Sequence, residues 1–468
     1  MRNSTHVLWF CIFFVHALLL ALIYPDSYQQ DGGYHYLMCR WSWLYPDYLV
    51  SPWARPLFTT LYSLPAQLGY LPARMVTPLL LFASGYVSCL VGRHFGLKKL
   101  WLLYPLLLLQ PRVLLLSFDT MTEPLFGLIF LLAILLYLKK RPFSAALLVS
   151  LLPLIRPEGF FVGIFWGFVI LFDARIDKKF WMRFPKSLLL LAGSILWWLS
   201  AWAITGNFFW ILDTWPWKGQ GKYASAQLEW YGRVGFEIAG PIFFLFLAGM
   251  VLELKKRLWI LPMTAIYFFF FQIILWEFGL FGSAGYARYF VCISPVIALL
   301  ALSALNQIEL RIRFPRLLSS AVATFLLVSW GFALYMIDCH KYLHDSRAVE
   351  ATYNWYQEND GRPVKRLFWS QAYMCILFDA DLRKTQLVSG KNPDEYREEM
   401  RQAPEGSLIF WDTNTGPDWY GLGPLDFEKA GYTKLRSKRY RLQGHWSRHV
   451  IFGHCGTREQ EMHLYYKE

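Results

Sequence analysis

Charge is scarce in this sequence. Only 17% of its 468 residues are Asp, Glu, Lys or Arg, against about 25% in an average soluble protein. With 56% hydrophobic residues and a mean hydropathy of +0.30, that shortage excludes a wholly soluble or disordered chain. Cysteine is sparse as well, seven in all, with no CxxC pair and no Cys/His metal spacing, which argues against a zinc module. Repeats and low-complexity tracts are lacking, so a solenoid or a fibrous architecture is not in view. No basic-aromatic strip occurs, and no nucleic-acid partner is expected. From Lys341 to Glu468, nineteen Lys/Arg nearly balance eighteen Asp/Glu, so the net charge of +13 belongs mostly to the rest of the chain.

Long apolar runs are what the sequence has in plenty. A bilayer core of about 30 Å needs about 20 apolar residues per helix. Runs near 7–24, 74–92, 100–116, 124–138, 143–155, 159–172, 187–204, 236–253, 258–276, 289–305 and 317–337 read as spans, with 143–155 and 159–172 short enough to be tilted or re-entrant. No small-x-small cleavage site follows the first run, which reads as a retained anchor. The loops 93–99, 139–141, 173–186, 254–257 and 311–316 hold three, three, five, three and three Lys/Arg, whereas the longer loops between them hold seven in total. The positive-inside rule then places the N-terminus in the cytoplasm and the C-terminal part outside.

The expected fold class is an all-α polytopic membrane domain of about 11 transmembrane helices, followed by a small extracytoplasmic α/β domain. The expected domains are 1–338 and 339–468. In the second, "RLFWSQ", "MCILFDA", "GSLIFWDT" and "HVIFGH" read as strands and "PDEYREEMRQA" as a helix, a mixture that suits an α/β layer. Four cysteines, Cys39, Cys339, Cys375 and Cys455, fall where disulfides are permitted, and a Cys375–Cys455 bridge is one pairing the spacing allows. Two outer loops, Pro25 to Ala73 and Thr205 to Gly235, are rich in Trp and Tyr, which favour the headgroup level; together they suit a roof over an outer cavity.

The polar residues that break the apolar pattern gather on the outer side. "IRPEG" puts Arg156 and Glu158 in a turn between two spans. Asp31 lies in "QQDGGYHY" with His35 close by, Asp119 and Glu123 in "SFDTMTEP", and Arg288 in "GSAGYARYF". Buried charge in a membrane costs about 2.5–3.5 kcal/mol or more per group, so its presence calls for a use. Transfer from a lipid-linked phosphate donor fits. Arginines would hold the phosphate through charge-assisted bonds, and a carboxylate would serve as base toward an acceptor hydroxyl or amine. A further carboxylate pair, Asp119 and Glu123, is the set that would hold a divalent cation such as Mg or Mn.

These residues resemble the C superfamily of membrane glycosyltransferases, which includes the protein O-mannosyltransferases and the aminoarabinose transferases. The resemblance covers about residues 1–310. It rests on the acid after the first span (Asp31), the "TEP" motif Thr122-Glu123-Pro124, "RPEG" at 156–159 and "YARY" at 286–289. It implies sugar transfer from a polyprenyl-phosphate donor, mannose-like hexose by default, to a lipid, glycan or protein acceptor outside the cytoplasm. It implies Asp31 as catalytic base, Arg156, Arg288, Tyr286 and Tyr289 at the donor phosphate, and Glu158, Asp119 and Glu123 as supporting acids. The chain departs from many relatives in having Asp31-Gly32 where they have two adjacent acids. "LIFWDTNTGP" looks like part of the domain that ends some bacterial members, which implies a bacterial plasma membrane. A transporter or flippase of lipid-linked sugars is the alternative; it would use the arginines without a base.

Overall fold

The computed structural model describes residues 3–28, 30–176, 184–185, 187–217, 228–311, 315–385, 392–444 and 458–468. They pack as two compact units, Met1–Leu20 with Ser42–Ile337, and Ala21–Trp41 with Asp338–Glu468.

The first unit is helical. Among the described residues six helices are long and apolar enough to cross a membrane: Asn3–Ile23, Tyr70–His94, Leu188–Thr205, Ile260–Glu277, Ala287–Glu309 and Arg316–Asp338. Three shorter apolar helices, Glu123–Leu138, Pro142–Leu154 and Gly159–Phe172, accompany them. The chain is an integral membrane protein. Burial separates centre from rim: Ala287–Glu309 is 89% buried, Asn3–Ile23 only 22%. Val7, Leu8, Val15, Leu19 and Leu22 of the latter are exposed, as a lipid-facing helix requires.

Two expected spans are broken. The run 100–116 divides into Leu103–Leu108 and Pro111–Leu116, because Pro111 has no N–H to continue the ladder. Gln110 bridges the break, its Nε2 donating to the carbonyls of Leu106 and Ser294 at 3.0 Å each. The run 236–253 divides into Leu228–Ala239 and Ile242–Lys255 at Gly240-Pro241. Gly240 there takes a left-handed φ of 58°, which ends a helix at little cost only for glycine.

The second unit carries a four-stranded sheet in the order β1-β2-β4-β3. β1 is Arg366–Trp369, β2 Ser407–Asp412, β3 Thr433–Leu442 and β4 Arg458–Tyr466. β1 and β2 are parallel, and the other pairs are antiparallel. Helix Pro393–Gln402 lies in the β1–β2 crossover, and the Asn392 side chain caps it by accepting from the Asp394 N–H. Phe368, Tyr396, Met400, Ile409, Trp411, Phe427 and Tyr465 form the core on one face.

"MCILFDA" is not a strand: Ala372–Leu377 is helical. A short apolar run has no periodicity to separate a buried strand from a buried helix. "HVIFGH" lies outside the described residues. β3 was not legible because five of the ten residues of "TKLRSKRYRL" are basic, a common guard on an edge strand against edge pairing. Cys375 is a free thiol, its Sγ 3.4 Å from the Ala380 carbonyl, so the Cys375–Cys455 pairing does not form; Cys339 is disulfide-bonded instead.

Candidate functional site

The first unit gathers six of the expected residues, Glu123, Arg156, Glu158, Tyr286, Arg288 and Tyr289. Helix Glu123–Leu138 begins at Glu123, with Pro124 in its first turn, where proline is pre-organised and needs no N–H partner. The 3-10 helix Leu152–Leu154 ends in a turn closed by Gly159 N–H to Arg156 O at 2.9 Å. A 3-10 helix, Ala287–Ile293, carries Arg288 and Tyr289 just after Tyr286. These three ends meet. Arg156 Nη1 lies 2.7 Å from Glu123 Oε1, and Arg156 Nη2 lies 2.7 Å from Glu158 Oε1. Nη1 also donates to Thr122 Oγ1 at 2.9 Å. Arg288 Nε stands 3.7 Å from the same Glu123 oxygen. The Tyr289 ring lies 5.0 Å from the Arg156 guanidinium and 5.6 Å from that of Arg288, which also faces Tyr286 at 5.2 Å. All four charged side chains are at least nine-tenths buried.

Gly159 makes this packing possible. A Cβ there would fall 2.3 Å from the Leu152 carbonyl carbon and the Pro153 nitrogen, both backbone and unable to yield. Gly159→Ala is therefore expected to lower stability by about 1–3 kcal/mol or more. Thermal unfolding in detergent checks this; a melting temperature equal to wild type would show that the turn relaxes freely.

Sequence reasoning missed Arg55. It precedes Pro56 with a left-handed φ of 66°, a strained state for a non-glycine residue and one found at functional sites. Its guanidinium lies 4.5 Å from the Trp217 ring and 5.9 Å from Trp53. Its charge reaches Glu158: burial alone would raise that carboxyl, but Arg156 and then Arg55 hold it below its ordinary value. The only hint in the sequence was an arginine between Trp and Pro in "SPWARP". Around it, Trp197 Nε1 donates to Val50 O at 2.7 Å, so the later half of the first outer loop packs on the Trp-rich segment.

Asp119 is fully buried, and its Oδ1 accepts from the Thr120 N–H at 2.7 Å. Arg74 and Thr77 hold its turn through the carbonyls of Phe118 and Asp119, at 2.5 Å each. No group of three or more His, Cys, Asp or Glu among the described residues could hold a metal ion. Glu123 already faces Arg156 and Arg288, and a divalent cation on that carboxylate would be repelled by both. The Asp119–Glu123 pair therefore does not fit a metal, and no step is routed through one.

Asp31 belongs to the second unit. It occupies the first turn of helix Gln30–Trp41, where the helix dipole favours an acid. Asp31-Gly32-Gly33 is helical. His35 follows Asp31 by one helical turn, on the same side of the helix, and is buried.

This arrangement can be set beside solved structures. ArnT from Cupriavidus metallidurans, solved bound to undecaprenyl phosphate, superposes with a TM-score of 0.63 over 89% of this chain and 95% of that one, at 11% identity. This chain has the fold of ArnT. The C-superfamily likeness read from the motifs thus extends to the three-dimensional fold. The oligosaccharyltransferase of Archaeoglobus fulgidus, solved with a tethered acceptor peptide, matches with a TM-score of 0.50 over 92% of this chain and 73% of that one, at 12% identity. No protein-family model matches the sequence, and no curated protein matches it.

Proposed function

We propose that this chain is a membrane glycosyltransferase that moves a sugar, a hexose such as mannose, from a polyprenyl-phosphate donor to an acceptor outside the cytoplasm. The observation that carries the reading is the buried Arg156–Glu123–Arg288 cluster. Such buried charge costs stability, so its presence calls for a use. Arg288 stands beside the same carboxylate at 3.7 Å, so two guanidiniums converge where a phosphate would bring negative charge.

The donor is a phosphodiester with one negative charge. As the bond between the anomeric carbon and the phosphate oxygen breaks, the departing polyprenyl phosphate gains a second. Arg156 and Arg288, with Arg55 beside Glu158, stabilise that growing charge in a site of low dielectric. Tyr286 and Tyr289 keep the guanidiniums in plane. Glu123 and Glu158 hold Arg156 in place, and Asp119 fixes the turn before them. Asp31 takes the acceptor proton as the acceptor oxygen attacks, so direct displacement inverts the anomeric carbon. A disulfide at Cys339 suits an oxidising, extracytoplasmic side for the second unit; a bacterial plasma membrane is the proposed location.

Single-turnover release of sugar from radiolabelled polyprenyl-phosphate hexose, by protein in lipid with envelope extract as acceptor, tests the reading. Labelled product is expected. Donor crossing the bilayer intact would instead make the protein a flippase. Under multiple turnover Arg55→Ala is expected to raise KM for the donor roughly ten- to 150-fold, the 1.5–3 kcal/mol of a hydrogen bond to charge, with kcat changed less. An unchanged KM would remove Arg55 from the donor site.

A further inference from the structure

The second unit has the makings of a ligand-binding sheet. In open α/β sheets, ligands settle outside the carboxyl ends of parallel strands. Here helix Gln30–Trp41 packs against the chain that leaves β1 and reaches Tyr420 beyond β2. The Gln30 amide grips the chain just past β1: its Nε2 donates to Ser370 O at 3.3 Å, and its Oε1 accepts from the Ala372 N–H at 3.2 Å. The Tyr34 ring lies 5.3 Å from the Trp369 ring. Its hydroxyl pairs at 3.3 Å with that of Tyr420, which follows β2. Arg40 reaches Asp379 through Nε at 3.2 Å and Nη2 at 2.9 Å. Just upstream, Tyr24 donates to Asp338 Oδ1 at 2.9 Å, and the Tyr28 ring sits 4.3 Å from His340.

Gly33 sets how closely the helix seats. A Cβ on it would fall 2.8 Å from the Ala372 Cβ, a distance that forces one side to move. Helix Gln30–Trp41 and helix Ala372–Leu377 are thus fitted to each other near the turn that carries Asp31.

We infer that the C-terminal α/β unit is a cradle for the catalytic segment and not a ligand module, with Gln30 and Gly33 as positioning residues that fix where Asp31 stands. The inference rests on Asp31 acting as base. A helix of twelve residues is marginal alone in water; seated on the sheet, it presents its first turn in one place.

Moving a methyl group across the contact tests this. In the full-length protein in lipid, Gly33→Ala is expected to lower kcat by about 10²-fold, the scale of a 1 Å misplacement of a reacting group. KM for donor and acceptor, and the melting temperature, stay near wild type. Adding Ala372→Gly gives the methyl back its space and restores kcat to within a few-fold. Gln30→Ala serves if Gly33→Ala does not fold, with the same split between kcat and KM. Unchanged kcat in both variants, or a loss that Ala372→Gly does not recover, overturns the inference while Asp31→Asn still abolishes transfer. If Asp31→Asn itself transfers normally, the base assignment falls first and the cradle has no catalytic object.

Discussion

Asp31→Asn is expected to remove sugar transfer and to leave donor binding intact. A positioned general base contributes about 10²–10⁴-fold to rate, and the amide cannot accept the acceptor's proton. Asparagine matches the shape of aspartate, so the helix Gln30–Trp41 should survive. The folding loss includes the acid's interaction with the helix dipole, about 0.3–1 kcal/mol. The pairing of results matters. Single-turnover transfer should collapse while radiolabelled donor still binds at wild-type affinity, because the guanidiniums proposed for the phosphate lie elsewhere in the sequence. Loss of both would mean a misfolded protein. Retention of both would take the base role from Asp31, and His35, one turn along the same helix, would become the residue to test.

Arg156→Ala is expected to be the most destabilising single change at the site. It strands two carboxylates: Glu123, with 0% exposure, and Glu158, with 5%. Glu123 keeps Arg288 at 3.7 Å, but Glu158 loses the ion pair at 2.7 Å. Removing one partner of a buried pair typically costs about 3–5 kcal/mol, chiefly through the charge left behind. That cause has its own signature. Arg156→Met with Glu158→Gln should recover much of the lost melting temperature, since Glu123 keeps Arg288 and Glu158 no longer carries a charge, yet stay inactive. A double variant as unstable as Arg156→Ala would point instead to lost packing against Tyr289. Arg156→Lys should fold better than Arg156→Ala but transfer poorly, because an ammonium cannot serve two carboxylates and a threonine in the fixed plane of a guanidinium.

How much of this was readable in advance differs from residue to residue. Glu123, Arg156, Glu158 and Arg288 stood out because charge is rare in apolar sequence, and the structure brings them together around one guanidinium. Arg55 was only hinted at, since nothing in "SPWARP" signals a left-handed backbone or a tryptophan 162 positions away. Asp31 was visible, but its neighbours were not. The sequence places it next to the first span, whereas its helix packs with residues more than 330 positions later.

The sequence by itself determined what is local. Long apolar runs require a membrane, prolines and glycines mark where helices stop, and the basic loops carry the topological signal; each follows from side-chain chemistry within a turn or two of chain. Only the tertiary structure decided which oxygen meets which nitrogen, that Cys339 and not Cys375 is bridged, and that Gln30–Trp41 packs against the chain leaving a distant strand. Those outcomes depend on shape and distance between segments far apart in the chain, and hydrophobic periodicity records which face is buried but not what it is buried against.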